Sequence, residues 1–107
     1  MTEAELQAAV VKLLGLTGWR CMHVRRSIGK GRQWQTTTSR VGWPDLTAWS
    51  PKQRRVLVAE LKSESGTLTA EQTQVLAELK ASGLEVYVWR PSDLESLPAL
   101  LQGKRAA

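Results

Sequence analysis

Apolar residues along this chain recur with a helical period at its start and with a period of two in its middle. Leu6, Val10, Leu13 and Leu14 stand at helical spacing, and Gly15 and Gly18 follow them. A helix over residues 3 to 16 is the prediction. Thr2-Glu3-Ala4-Glu5 opens it as a capping box, in which the Glu5 N–H donates to the Thr2 hydroxyl and the Thr2 N–H donates to the Glu5 carboxylate. Trp19 to Arg25 reads as a strand. Ser27 to Arg40 keeps neither period, and Gly29, Gly31 and a Thr-rich stretch beside Trp34 predict a mobile loop or a loosely paired ribbon.

Asp45 to Trp49 reads as a second strand, with Pro44 at its entry, where no ladder donor is needed. Ser50-Pro51-Lys52-Gln53 is a turn, and Arg55 to Lys62 is the clearest strand of all. Val56 and Val58 lie on one face and Leu57, Ala59 and Leu61 on the other, so both faces are expected to be covered. Thr69-Ala70-Glu71-Gln72 forms a second capping box for a helix that runs to about Ser82 and stops at Gly83. Glu85 to Arg90 returns as a strand. Ser92-Asp93-Leu94-Glu95 offers a third capping box, but Pro98 interrupts the apolar pattern behind it, which predicts a short or broken final helix and then a basic tail. The order of helix, three strands, helix, strand and helix predicts an α/β fold over residues 1–107, with a mixed central sheet flanked by helices and one sheet edge exposed.

Composition narrows the classes. One Cys and one His among 107 residues exclude an intrachain disulfide and a four-ligand zinc site within the chain. No apolar run is long enough to span a bilayer and no secretion signal opens the chain, so the expectation is a cytoplasmic protein without a membrane partner. The net charge of +5 is unevenly placed. Leu6 to Pro44 holds seven basic residues (Lys12, Arg20, Arg25, Arg26, Lys30, Arg32 and Arg40) and no acidic one. Such a concentrated positive field suits a polyanion, and nucleic acid is the commonest one, although a solvated basic face is the simpler alternative.

Glu60 and Lys62 are polar residues on a strand that otherwise belongs to the core. They are two apart and share the face of Val56 and Val58. Asp45 opens the partner strand, so its carboxylate can lie beside that of Glu60 if the hairpin register allows. Two such carboxylates repel unless a cation sits between them, and oxygen donors suit Mg²⁺ or Mn²⁺. A Glu60–Lys62 surface ion pair with Asp45 capping a turn fits the same spacing.

Gly42-Trp43-Pro44-Asp45-Leu46, followed by Val58-Ala59-Glu60-Leu61-Lys62, resembles the Pro-Asp and (Asp/Glu)-x-Lys signature of the PD-(D/E)XK nucleases. The opening Thr2-Glu3-Ala4-Glu5-Leu6-Gln7, the Leu68-Thr69-Ala70-Glu71-Gln72 before the second helix and the Gly-then-strand behind it extend the resemblance over nearly the whole chain. More narrowly it is similar to the stand-alone VRR-NUC family, whose relatives include Holliday junction resolvases. The resemblance implies a restriction-endonuclease-like αβββαβ core and a metal-dependent phosphodiesterase. It also implies Asp45 and Glu60 as metal ligands, the Leu61 backbone carbonyl as a further ligand, and Lys62 beside the attacking water. A Val-Arg-Arg occurs at Val24-Arg25-Arg26, outside the expected core position, and carries no weight.

At about 100° per residue, Glu3 falls within the arc of Leu6, Val10, Leu13 and Leu14, whereas Glu5 falls opposite, so Glu3 is the inward-facing candidate for the site. The same test puts Gln72 on the stripe of Leu68, Val75, Leu76 and Leu79, where an amide needs a polar partner. His23 and Cys21 stand without suggestive neighbours and read as structural. Trp19 and Trp89 read as core, whereas Trp34 and Trp43 flank the basic segment and could pack or stack on a base. The function that the resemblance implies, together with the small size, is a divalent-metal-dependent DNA endonuclease acting on branched structures as a homodimer, with Arg25, Arg26, Lys30, Arg32 and Arg40 on the backbone. An exonuclease, flap or nicking enzyme of the same fold, or a non-catalytic nucleic-acid-binding module, are the alternatives.

Overall fold

The computed structural model describes residues 1–24, 26–28, 34–36 and 41–103, the two short segments through their backbone. Helix α1 (Glu3–Leu16) begins at the capping box foreseen for it, with the Glu5 N–H 3.1 Å from Thr2 Oγ1 and the Thr2 N–H 2.9 Å from Glu5 Oε1. Strands β1 (Arg20–His23), β2 (Arg26–Ile28), β3 (Trp34–Thr36), β4 (Leu46–Ser50) and β5 (Arg55–Leu61) follow. Helix α2 (Ala70–Ala81), strand β6 (Glu85–Trp89), a single 3₁₀ turn (Pro91–Asp93) and helix α3 (Leu97–Gln102) complete the order. β2 and β3 pair as a separate antiparallel ribbon, within the stretch that lacked either period.

The four-stranded sheet has the order β1-β4-β5-β6, antiparallel except for the parallel β5·β6 pair. That one parallel pair requires a crossover, and α2 supplies it. The fold is therefore the mixed-sheet, restriction-endonuclease-like α/β arrangement. Leu46, Ala48, Leu57, Ala59 and Leu61 point to one face, where they pack with Leu6, Val10 and Leu14 of α1 and with Leu97 and Leu101 of α3. Each fully buried leucine there contributes about 1.5–3 kcal/mol. Alternation sends Glu60 to the opposite face, where α2 buries Gln72, Val75 and Leu76.

Three expectations are corrected. The outer face of the hairpin is not fully covered: Val58 is buried, but Val56 is 47% exposed, together with Met22 and Trp49. α2 lies along β6 and leaves that corner open. The third capping box does not form. Asp93 instead accepts the Arg90 N–H at 2.7 Å, one turn earlier, and starts the 3₁₀ turn. Helix α3 then takes Pro98 into its first turn, where a missing N–H costs nothing. The strand expected to reach Lys62 ends at Leu61. The basic tail at 104–107 lies outside the described residues.

Far from the Glu60 end, Arg55 and Glu85 form a buried ion pair, with Nε to Oε2 at 3.0 Å and Nη2 to Oε1 at 2.8 Å. Arg55 Nη1 also donates to the carbonyls of Leu100 and Gly103, and the guanidinium lies 4.9 Å from the Trp19 ring. This knot ties α3 to the sheet. No helix among the described residues is long and apolar enough to cross a membrane.

Candidate active site

The register of one hairpin assembles the site. Leu46 pairs with Ala59, so the next step along the ladder sets Asp45 opposite Glu60. The Leu61 N–H donates to Asp45 Oδ2 at 2.9 Å, which anchors the Asp45 carboxylate at the end of β5. Glu60 is buried, at 1% exposure, and Lys62 follows half-buried, its N–H donating to the Trp89 carbonyl of β6 at 3.0 Å. Both residues are thus held by backbone bonds to neighbouring strands.

Pro44 shapes the same corner. One further step of the register sets position 44 opposite Leu61. A residue with an N–H there would donate it to the Leu61 carbonyl, and proline has none to give. The oxygens that the register brings to this end of the hairpin are hard donors: two carboxylates and the Leu61 carbonyl, opposite which Pro44 has no N–H. That set fits Mg²⁺ or Mn²⁺ and suits no thiophilic metal. A carboxylate as deep as Glu60 is costly to keep ionised, and a nearby divalent cation lowers that cost. Among the described residues no three His, Cys, Asp or Glu side chains form a group that could hold a metal ion.

Gln72 reaches the site from α2. It is buried, at 3% exposure, and its Nε2 donates to Glu60 Oε1 at 3.1 Å. The amide oxygen accepts the Thr69 N–H at 2.9 Å and completes the second capping box. The inward phase assigned to Gln72 from its spacing holds, and its polar partner is Glu60. Gly42 controls how closely this helix approaches. With φ at +90°, it packs its α-carbon on the start of α2, where an added Cβ would stand 2.7 Å from the Glu71 carbonyl carbon and oxygen.

Glu3 does not face inward. The arc drawn through Leu6, Val10 and Leu14 is buried as foreseen, but Glu3 lies one turn before it and is exposed, because the first turn of α1 projects beyond the layer that covers the rest. Glu5 is engaged in the cap, and the Thr2 hydrogen bonds hold its carboxyl below the ordinary carboxylate range. Trp19 and Trp89 are core residues, and Trp43 is half-buried, with Nε1 3.4 Å from Thr47 Oγ1. Burial raises the Cys21 thiol pKa, which leaves it a poor nucleophile. His23 lines a shallow groove with Gln7 and Val11. The side chains of Arg25, Arg26, Lys30, Arg32, Trp34 and Arg40 lie outside the described residues.

Two polar arrangements escaped the sequence reading. One is the Arg55–Glu85 pair, whose partners are 30 residues apart. The other surrounds Arg90, whose Nη1 gathers the carbonyls of the loop behind Lys62. A charged residue at the very end of a buried strand was the signal in both cases.

Known proteins share this pattern. The VRR-NUC domain family model matches residues 17–93, a stretch that contains Asp45, Glu60, Lys62 and Gln72 but not Glu3. A Fanconi-associated nuclease 1 homolog from Caenorhabditis elegans is 42% identical over 50 residues, which is 47% of this chain and 6% of that protein. This chain thus spans only a small part of that relative's length. Among solved structures, Hjc of Archaeoglobus fulgidus, a Holliday junction resolvase from an archaeal hyperthermophile, has the same fold. The TM-score is 0.54 at 22% identity, over 81% of this chain and 67% of that one.

Proposed function

Because the chain belongs to the VRR-NUC domain family of nucleases, we propose that it is a divalent-metal-dependent DNA endonuclease that cuts branched DNA such as four-way junctions. The observation that carries this reading is the hairpin register that sets Asp45 opposite Glu60, with Lys62 two residues on. Asp45, Glu60 and the Leu61 carbonyl would hold Mg²⁺ or Mn²⁺. When bound, the cation acts as a Lewis acid on the phosphate and favours deprotonation of water near neutral pH. Lys62 orients the attacking water and offsets negative charge that develops on the phosphate. Gln72 fixes the plane of the Glu60 carboxylate. Arg25, Arg26, Lys30, Arg32 and Arg40 carry the phosphate backbone.

The fold shared with the Archaeoglobus resolvase supports the junction as substrate. A single domain of this size is better suited to reading backbone shape than base sequence. Paired incisions across a junction need two sites related by symmetry, and residues 1–107, read as one nuclease domain, hold a single Asp/Glu/Lys cluster among the described residues. The working form is therefore a homodimer in the cytoplasm. The test is a cleavage panel of four-way junction, flap, linear duplex and RNA, each with Mg²⁺, Mn²⁺ or chelator, beside light scattering of the protein. Preferential, metal-dependent cutting of junctions by a dimer is the expected result. A monomer that degrades linear DNA from its ends would replace this reading with an exonuclease, and DNA binding without cleavage would replace it with a binding module.

A further inference from the structure

The loop that follows Lys62 is built like a clamp, and its jaw is Arg90. Arg90 is the first residue after β6, beside Trp89, whose carbonyl accepts the Lys62 N–H. From there its Nη1 donates to the carbonyls of Ser63 at 2.6 Å, Gly66 at 2.7 Å and Glu64 at 3.3 Å. The Gly66 N–H closes the same turn on the Ser63 carbonyl at 3.2 Å. A second tie crosses the gap in the other direction: the Glu64 carboxylate accepts the Ser92 N–H and the Ser92 hydroxyl. Arg90 itself is held by backbone bonds, its N–H to Asp93 Oδ2 at 2.7 Å and its carbonyl from the Asp93 N–H at 2.8 Å.

This clamp faces the lysine. A Cβ placed on Gly66 would stand 3.6 Å from Lys62 Cδ and 3.0 Å from Ser63 Oγ, so the Gly66 backbone is the wall against which the Lys62 stem runs. A lysine side chain carries about 2 kcal/mol of rotamer entropy, and chemistry on a phosphate requires its charged end to be held within about 0.5 Å. β5 ends at Leu61, so the sheet ladder restrains only the Lys62 backbone. Glu64 and Ser65 are exposed, and a polar turn of this length opens readily unless something holds it. A cationic guanidinium shared among three carbonyls does so with charge-assisted bonds.

We infer that Arg90 is a positioning residue for Lys62: by gathering the Ser63, Glu64 and Gly66 carbonyls it sets the wall that directs the Lys62 ammonium toward the site. The inference rests on Lys62 acting beside the scissile phosphate, as read above. Arg90 touches neither substrate nor metal in this scheme. Its loss lowers turnover and leaves substrate affinity in place.

The test uses the full chain with Arg90→Gln, Arg90→Lys and, as a milder release of the same clamp, Glu64→Gln. Cleavage of a four-way junction with Mg²⁺, below each variant's unfolding midpoint, is expected to lose about tenfold or more in kcat for Arg90→Gln, with KM changed less than about twofold. Arg90→Lys recovers part of that loss, since an ammonium can reach some of the carbonyls but not as a planar fork. A readout that needs no cleavage is the ¹³C relaxation of the Lys62 ε-methylene, assigned by its disappearance in Lys62→Arg. It is ordered in the parent, mobile in Arg90→Gln, and intermediate in Arg90→Lys and Glu64→Gln. If the Lys62 methylene stays as ordered as in the parent while the clamp is released, the inference is overturned even though the nuclease reading stands. If the methylene loosens as described in a protein that cuts no substrate, the positioning holds and the nuclease reading fails.

Discussion

Gln72 donates from Nε2 to Glu60 Oε1 at 3.1 Å while its own Oε1 takes the Thr69 N–H at 2.9 Å. One side chain thereby finishes a helix cap and contacts a buried carboxylate. The two bonds fix which end of the amide is which, because only the oxygen can accept from Thr69 and only the NH₂ can donate to Glu60. The cap that starts α2 and the orientation of Glu60 are consequently one structural decision.

Gln72→Glu separates the two roles. The new carboxylate still accepts from Thr69, but it faces Glu60 with like charge in place of a donor. A hydrogen bond to a charged group is worth about 1.5–3 kcal/mol, and the repulsion adds to that loss. Stability should drop at pH 7 and recover as pH falls through the carboxylate range near 4–5. Urea unfolding at the two pH values measures it, and a deficit of the same size at both would show that charge is not the cause. Gln72→Ala should lose the cap as well and show no such recovery.

Asp45→Asn keeps an oxygen for the Leu61 N–H and removes the charge, so the fold should survive while the chemistry does not. Asp45→Asn, Glu60→Gln and Lys62→Ala are each expected to lower cleavage by about 100-fold or more, with DNA affinity little altered. Chelation should abolish activity, and either Mg²⁺ or Mn²⁺ should restore it. Near-normal turnover in any one variant removes that residue from its assigned role.

The two N-terminal glutamates divide between a helix cap and open solvent. Glu5→Gln can still close the box with Thr2, so it should leave stability and cleavage nearly unchanged. The depressed Glu5 carboxyl stabilises the cap above its ordinary range and loses that contribution as pH falls, a small effect for a fully exposed group. Glu3→Gln, at an exposed position before the buried stripe, should leave both stability and cleavage nearly unchanged. A severe loss of cleavage would return Glu3 to the site.

Local rules carried much of this protein into its sequence. Two capping boxes, the alternation along Arg55 to Leu61 and the placement of Gln72 were all readable because each depends on neighbours within one or two turns. The Asp45 and Glu60 pairing was readable as well, since a short hairpin leaves few registers. What could not be read joins segments far apart in the chain. Arg55 finds Glu85, and Arg90 finds Ser63 to Gly66, only once β6 has docked parallel to β5. Glu3 failed for a different reason. Helical phase gives direction around the axis and says nothing of where along the axis the covering layer stops.

The Arg55–Glu85 knot makes a prediction at the far end of the sheet, about 17 Å from Glu60 at strand spacing. Glu85→Gln leaves the buried Arg55 cation without its carboxylate and should cost about 3–5 kcal/mol, with α3 the first element to loosen in hydrogen exchange. The Tyr87 hydroxyl donates to Glu85 Oε1 at 2.8 Å, and burial together with that bond raises its pKa above the ordinary 10.0. Neutral Tyr87 is therefore favoured in the folded state, and its contribution is complete below pH 10 and fades as pH rises through the folded-state pKa. Tyr87→Phe should flatten that alkaline limb of the stability curve, and an unchanged limb would assign it elsewhere.

Gly42 connects the Pro-Asp motif to the helix that holds Gln72, and its substitution should be felt in both. At φ +90° an alanine is strained, and its Cβ would stand 2.7 Å from the Glu71 carbonyl carbon and oxygen and 3.1 Å from the Gln72 nitrogen. The backbone strain costs about 1–3 kcal/mol, and pushing rigid backbone aside adds an overpacking cost of similar size. The α2 start can relieve the clash only by moving away from the sheet, which carries the Gln72 amide away from Glu60. Gly42→Ala should therefore lower cleavage in the same direction as Gln72→Ala, which frees the Glu60 carboxylate from its amide donor, although Gly42 touches no substrate. In a double-mutant cycle the two changes should be non-additive by about 0.5 kcal/mol or more in both stability and kcat, because the second has less to remove once the first has opened the contact. Strict additivity would mean that the motif glycine acts on its own loop alone and that α2 holds its position without it.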